Sequence, residues 1–376
     1  SEVTSSTETA TATVVTDQTT WSNGWYVVNS DTTINSRVTV TGNVHLILAD
    51  GCKLTASNGI EVSKGNSLTI YAQSEGDDMG VLVAEATENN DAAGIGGGLS
   101  NANSGTVTIH GGEVTATSDR GAGIGGGGGD YIFNGSDGTV TIYGGTVTAT
   151  SDSGAGIGGG GGDNISGGSD GTVTIYGGEV TAISSIGAGI GGGGGGDITG
   201  GSGSTVTIHG GTVNATSNSG AGIGEGGGNV SFGSGSFSTG TNGNAFIIAS
   251  RIQDNDDKSA WSGVIFEGNA GAVYGSPTLQ TDATIPANKE LTVESGKTLV
   301  VGEGVTLAVE GTLTNNGTVE NNGRIVNKGG TINGVTNYLN PVDLDENMVS
   351  LEATPFTYTG DAIEPEVTVS NGNDTY

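Results

Sequence analysis

The sequence predicts an all-β fold: a right-handed parallel β-helix, a solenoid whose central coils hold 33 residues each. Three observations carry that prediction. The stretch 105–137, GTVTIHGGEVTATSDRGAGIGGGGGDYIFNGSD, recurs with starts at 138, 171 and 204, each 33 residues after the last. Every copy holds two short segments that alternate apolar and polar residues, then a glycine-rich third. That is the pattern of half-buried strands bounded by turns. Glycine fills 75 of 376 positions and no stretch has a helical period of useful length, so helix is opposed throughout. One copy has too little apolar surface to fold alone. Stacked copies bury it continuously, with equivalent residues about 4.8 Å apart. Strand twist and parallel crossovers favour the right-handed coil.

Taken in order, residues 1–20 are Ser/Thr-rich and open SEVTSSTETATATVV, a composition expected at a mature N-terminus after export or at the end of a surface stalk. Residues 21–42 are expected to cap the solenoid, with Trp21, Trp25 and Tyr26 covering its open end. The β-helix itself is expected over 43–236. It begins with a short coil, VHLILADGCKLTASNGIEVSKG, and an irregular one from Ser67 to Gly98, before the regular copies. There Val107 and Ile109, Val114 and Ala116, Ala122 and Ile124, with their equivalents 33 apart, are the candidate core. Glycines fall where coils bend or backbones approach closely.

Residues 237–338 read as an irregular stretch and then the same solenoid continued in short rungs. Gly311, Gly317 and Gly323 are six apart, as are Leu313, Val319 and Ile325, and Asn315, Asn321 and Asn327 are expected to form one Asn ladder. Beyond Asn340-Pro341, residues 339–376 contain FTYTGDAIEPEVTV and read as the first strands of an Ig-like β-sandwich, too few to close one.

Charge and cysteine usage remove several function classes. With 10 Lys+Arg against 40 Asp+Glu the formal charge is -30, and so acidic a chain offers no cationic face to nucleic acid or anionic lipid. The apolar runs fall short of a membrane span, so no membrane insertion is expected. Cys52 alone permits neither a disulfide framework nor a thiolate metal cluster. The many GxGxxG matches lack the following helix and lysine that a nucleotide phosphate needs.

Three stretches, GTVTIYGGTVTATSDSGAGIGGGGG, GAVYGSPTLQTDATIPANKELTVESGKTLVVGEGVTL and YTGDAIEPEVTV, together resemble Gram-positive bacterial cell-surface adhesin-like proteins with GAGIGGG β-helix repeats, over residues 43–376. The resemblance implies an extracellular place at the bacterial cell surface, the company of Ig-like or sugar-binding modules, and carbohydrate binding without catalysis.

The chemistry available to such a surface lies in its columns. The residue following each first segment is Tyr71, His110, Tyr143, Tyr176 or His209, and stacking places these rings in one file. A file of rings either binds the apolar faces of sugars or stabilises the turn by ring-on-ring contact. The expected partner is a polysaccharide or host glycan held by many weak contacts. Asp130, Asp163 and Asp197 recur in the glycine loop, and GGGGGDYIF formally matches a calcium-binding nonapeptide. Stacked carboxylates are relieved either by Ca2+ or by solvent at an acidic edge. The histidines, His45, His110 and His209, have no Ser, Cys or second His at ligand spacing, which disfavours zinc and triad chemistry. Glu113 and Glu179 alternate with Thr146 and Thr212 down one column, and the acids are otherwise scattered. No enzyme is therefore expected. The alternatives are a spacer rod presenting other domains, and a β-helical polysaccharide lyase or hydrolase, which needs converging acids.

Overall fold

Alternation of Thr with Val or Ile gives each TVTI segment one wet and one dry face, and backbone pairing with the next copy does the rest. In the computed structural model these segments are the strands Thr106–Ile109, Thr139–Ile142, Thr172–Ile175 and Thr205–Ile208. They pair in parallel, Val107↔Val140↔Val173↔Val206. The second segments, Glu113–Ser118, Thr146–Ser151, Glu179–Ser184 and Thr212–Ser217, form a second face in the same register. Two-residue strands from Ile124–Gly125 to Ile223–Gly224 form the third. The structure describes residues 11–76, 78–86, 91–99, 103–129, 135–162, 167–168, 171–195, 200–201, 205–227, 236–238, 244–250, 252, 258, 261–339, 349–351 and 367–369. Among them there is no α-helix, and so none long and apolar enough to cross a membrane.

The core is the predicted one. Val107, Ile109, Val114, Ala116, Ala122, Ile124 and their equivalents in the next coils are all buried in a single continuous cluster or directly beside it. At one corner, buried Ser118, Ser151 and Ser184 with half-buried Ser217 each donate a hydroxyl to a carbonyl of the preceding coil, at 2.6–2.7 Å. A polar column is thereby satisfied inside an apolar one.

Coiling starts earlier than residue 43. Thr20–Val28 pairs in parallel with Val38–Leu48, so Trp21 is a fully buried core residue of a coil strand. The long Val38–Leu48 strand pairs at one end with Ile60–Val62 and at the other with Ser67–Ala72, fusing the first and third faces into one sheet. Arg37 closes the start of the third face: its guanidinium donates to the carbonyls of Asn58, Ala93 and Gly97. Burial draws its pKa down to about 10 against the opposing pull of Glu61.

The second half is not a simple continuation. Gly263–Glu267 and Ala270–Tyr274 form an antiparallel hairpin inside the second sheet, and every strand added afterwards runs the other way. The core changes sides there as well. Ile247 and Ile265 still face the first core, whereas Phe246, Val264, Phe266, Leu291 and Leu313 build a second core on the opposite face of that sheet. Reversing strand direction inverts the sense of winding and so does moving the core; together they leave both solenoids with the same hand.

The six-residue period is one face, not one coil. Leu313 pairs with Leu291, Val319 with Leu299, and Ile325 with Leu307, in three different sheets. The expected Asn ladder therefore does not form. Asn315, Asn321 and Asn327 sit on three separate edges, and Asn315 and Asn327 each accept from the amide two residues on. Gly311, Gly317 and Gly323 are corner positions where a Cβ would overlap carbonyls of the preceding coil. Of the Ig-like expectation, only Val349–Leu351 paired antiparallel with Val367–Val369 is described; the rest of 340–376 lies outside the described residues.

Glycine is obligatory on the third face. Gly158 has φ 135, as do its stacked neighbours within a few degrees, and a Cβ there would overlap the Gly191 carbonyl. Gly158→Ala is expected to lower unfolding free energy by about 3 kcal/mol. Gly171→Ala, whose Cβ would meet nothing closer than 3.4 Å among the described residues, should stay within about 1 kcal/mol of the parent. Urea midpoints of the two variants check this.

Candidate functional site

The ring-bearing residue ends each first-face strand just before the turn, and its amide is tied to the coil below. His110 N donates to Ile70 O, Tyr143 N to Ile109 O, Tyr176 N to Ile142 O and His209 N to Ile175 O, at 2.7–2.8 Å. Identical backbone geometry in successive coils sets ring over ring. From Tyr71 through His110, Tyr143 and Tyr176 to His209 the centroids are 4.9, 4.7, 4.8 and 4.7 Å apart, with planes 3–5° from parallel. The five residues singled out by spacing form one column.

Two further rings extend it. Trp25 stacks on His45 at 4.4 Å, and His45 lies 6.0 Å from Tyr71 with its Nδ1 3.3 Å from the Tyr71 hydroxyl. Equal spacing misses them because His45 pairs with Thr69 while Tyr71 pairs with Ile47, two residues out of step. The outward alternation of VHLIL was the available signal. Burial pushes the Tyr71 phenol up from its usual pKa.

Stacking decides which part of each ring a ligand meets. Rings under 5 Å apart leave no room for a sugar between them, so the expectation that sugars lie on the ring faces fails inside the column. What solvent reaches are edges: Tyr143 is 47% and Tyr176 46% exposed. Phenol hydroxyls and imidazole nitrogens thus offer hydrogen bonds in a row.

A groove of about 810 Å³ runs beside the column. One wall is the turn carrying His110 and Tyr143; the floor is the outer face of the second sheet, with Glu179, Thr181, Thr212 and Asn214. The loop of Glu75 and Met79 bounds one end, and Thr281–Pro286 of the second solenoid bounds the other. That far end is pinned where the Thr212 hydroxyl meets Thr281 Oγ1 at 3.4 Å and donates to the Asp282 carbonyl at 3.3 Å. The floor column reads Glu113↔Thr146↔Glu179↔Thr212, so like charges are never on adjacent coils.

The candidate calcium ligands Asp130, Asp163 and Asp197 lie outside the described residues. Among the described residues no three His, Cys, Asp or Glu are grouped to hold a metal ion. A family model described as a beta helix repeat matches residues 107–128, 140–161, 173–194 and 206–224, which are the regular coils. No curated protein and no solved structure matches the chain.

The Tyr143 ring stacks on two neighbours, His110 and Tyr176, and aromatic pairs contribute about 0.5–1.5 kcal/mol apiece beyond burial. Tyr143→Ala should therefore cost about 1–3 kcal/mol of stability, and Tyr143→Phe, which keeps the stack, less than about 0.5 kcal/mol. Thermal and urea unfolding of the pair measures the difference.

Proposed function

We propose that this chain is a non-catalytic, adhesin-like module of the bacterial cell surface that binds polysaccharide or host glycan in the groove beside the aromatic column. The observation that carries the reading is the bounded groove itself. His110 and Tyr143, whose rings lie 4.7 Å apart within the longer column, face a floor of Thr, Asn and Glu side chains. A polyhydroxylated chain lying along the solenoid axis meets one similar set of groups per coil, and weak contacts accumulate into avidity. The resemblance to Gram-positive surface proteins supports the location. Glu113 and Glu179, with a Thr-bearing coil between them, stand further apart than the roughly 5–5.5 Å carboxylate pair of a retaining hydrolase.

A spacer role is the second reading, and the stacking favours it: the ring faces are occupied by one another, as a purely stabilising ladder requires. The two readings part on a variant that keeps the stack. Tyr143→Phe removes only the phenol hydroxyl of the tyrosine that lines the groove. On a glycan array and in calorimetry it is expected to weaken glycan binding about five-fold per lost hydrogen bond while leaving the unfolding midpoint in place. Absence of any glycan binding by the parent chain favours the spacer. Release of new reducing ends from a bound polysaccharide favours the lyase or hydrolase.

A further inference from the structure

We infer that the glycan selected by this groove carries free amino groups, as in an extended chain of β-1,4-linked glucosamine, and that carboxylated or sulfated chains are rejected; this rests on the reading of the groove as a glycan site. Charge is the first ground. Glu75 at one end, Glu179 on the floor and Asp282 at the other end line the groove, and among the described residues no Lys or Arg does. All three carboxylates are on exposed residues. Asp282 is held in place by accepting the Thr306 amide at 2.7 Å. Arg120 pairs with Asp91 at 3.2 Å, the Lys289 ammonium donates to the Gly268 carbonyl at 2.6 Å, and Lys53 stands in the floor column two coils before Glu113, outside the groove's lining. The overall charge of -30 adds to the same sign, so a polyanion meets repulsion on approach and on docking, whereas a sugar ammonium meets a carboxylate.

Periodicity is the second ground, and it is independent of net charge. Ring edges recur every 4.7–4.9 Å, close to the advance per residue of an extended, equatorially linked pyranose chain. One sugar then faces each coil. In such a chain successive rings are turned over, so the same substituent faces one wall at every second sugar. The column under the groove has that period: Glu179 stands on the floor between Thr146 and Thr212, and Glu113, beyond the groove's lining, continues the alternation one coil past Thr146. A 2-amino group on alternate sugars falls opposite alternate coils, where the acids are.

Calorimetry on the whole chain tests this with three hexasaccharides: β-1,4-glucosamine, its N-acetylated counterpart and oligogalacturonate. The titrations run at about pH 5.5, low enough to keep the sugar amines protonated. The glucosamine hexamer is expected to bind roughly five- to ten-fold tighter than the N-acetylated one, and oligogalacturonate not at all. Glu179→Gln/Asp282→Asn should erase that preference. Glu303→Gln/Glu320→Gln, an equal charge change outside the groove, should retain it. Equal affinity for the two amino-sugar hexamers, loss of preference in both double variants, or equally tight binding of hexalysine each overturns the inference while leaving a glycan site standing. If neither these hexamers nor any arrayed glycan binds, the glycan site falls with it.

Discussion

Parallel backbone pairing between a residue and its equivalent one coil later governs the first solenoid. It sets the spacing, and by repetition it turns single residues into columns: Val over Val, Ser over carbonyl, ring over ring. The pairing is possible on the third face only because no Cβ intervenes. Gly125, Gly158, Gly191 and Gly224 hold φ values of 129–136, a region L side chains avoid, and each is packed against the backbone of a neighbouring coil. The unusual glycine content is thus a packing requirement of coil closure. Flexible linkage does not account for it.

A column inherits the chemistry of its residues, for better or worse. Val, Ile and Ala gain, because each buries its neighbour's apolar surface. Carboxylates lose, and the Glu-Thr alternation on the second face keeps like charges two coils apart. Rings gain stacking contact but give up their faces, so the column is a row of polar edges. The same stacking that stiffens the turn therefore sets the kind of contact a ligand is offered: hydrogen bonding from the side, in step with the coils.

The groove exists because one sheet serves two solenoids. Its strands from Lys53–Ala56 to Gly263–Glu267 shelter the first core, and past the hairpin its other face shelters the second. The second solenoid consequently stands beside the outer surface of the first, and its corner at Thr281–Pro286 closes the end of what is otherwise an open sheet face. Phe246 and Ile248 mark the change, since they project outward from a strand whose Ile247 and Ala249 still point into the first core.

Much of this was legible in the residues alone, and for a local reason. A 33-residue repeat with period-two alternation specifies strands, faces and stacking without any distant contact, so the core and the five-ring column follow from counting. Counting fails where the register slips, which hid His45 and Trp25. It also fails where one period admits two windings: a six-residue spacing fits a short coil or a single face equally well, and only the pairing of Leu313 with Leu291 chooses. The reversal at Gly263–Tyr274, the second core and the closed groove were decided by the tertiary structure alone. Which side of a shared sheet buries its apolar residues depends on what packs there, and no spacing along the chain records that.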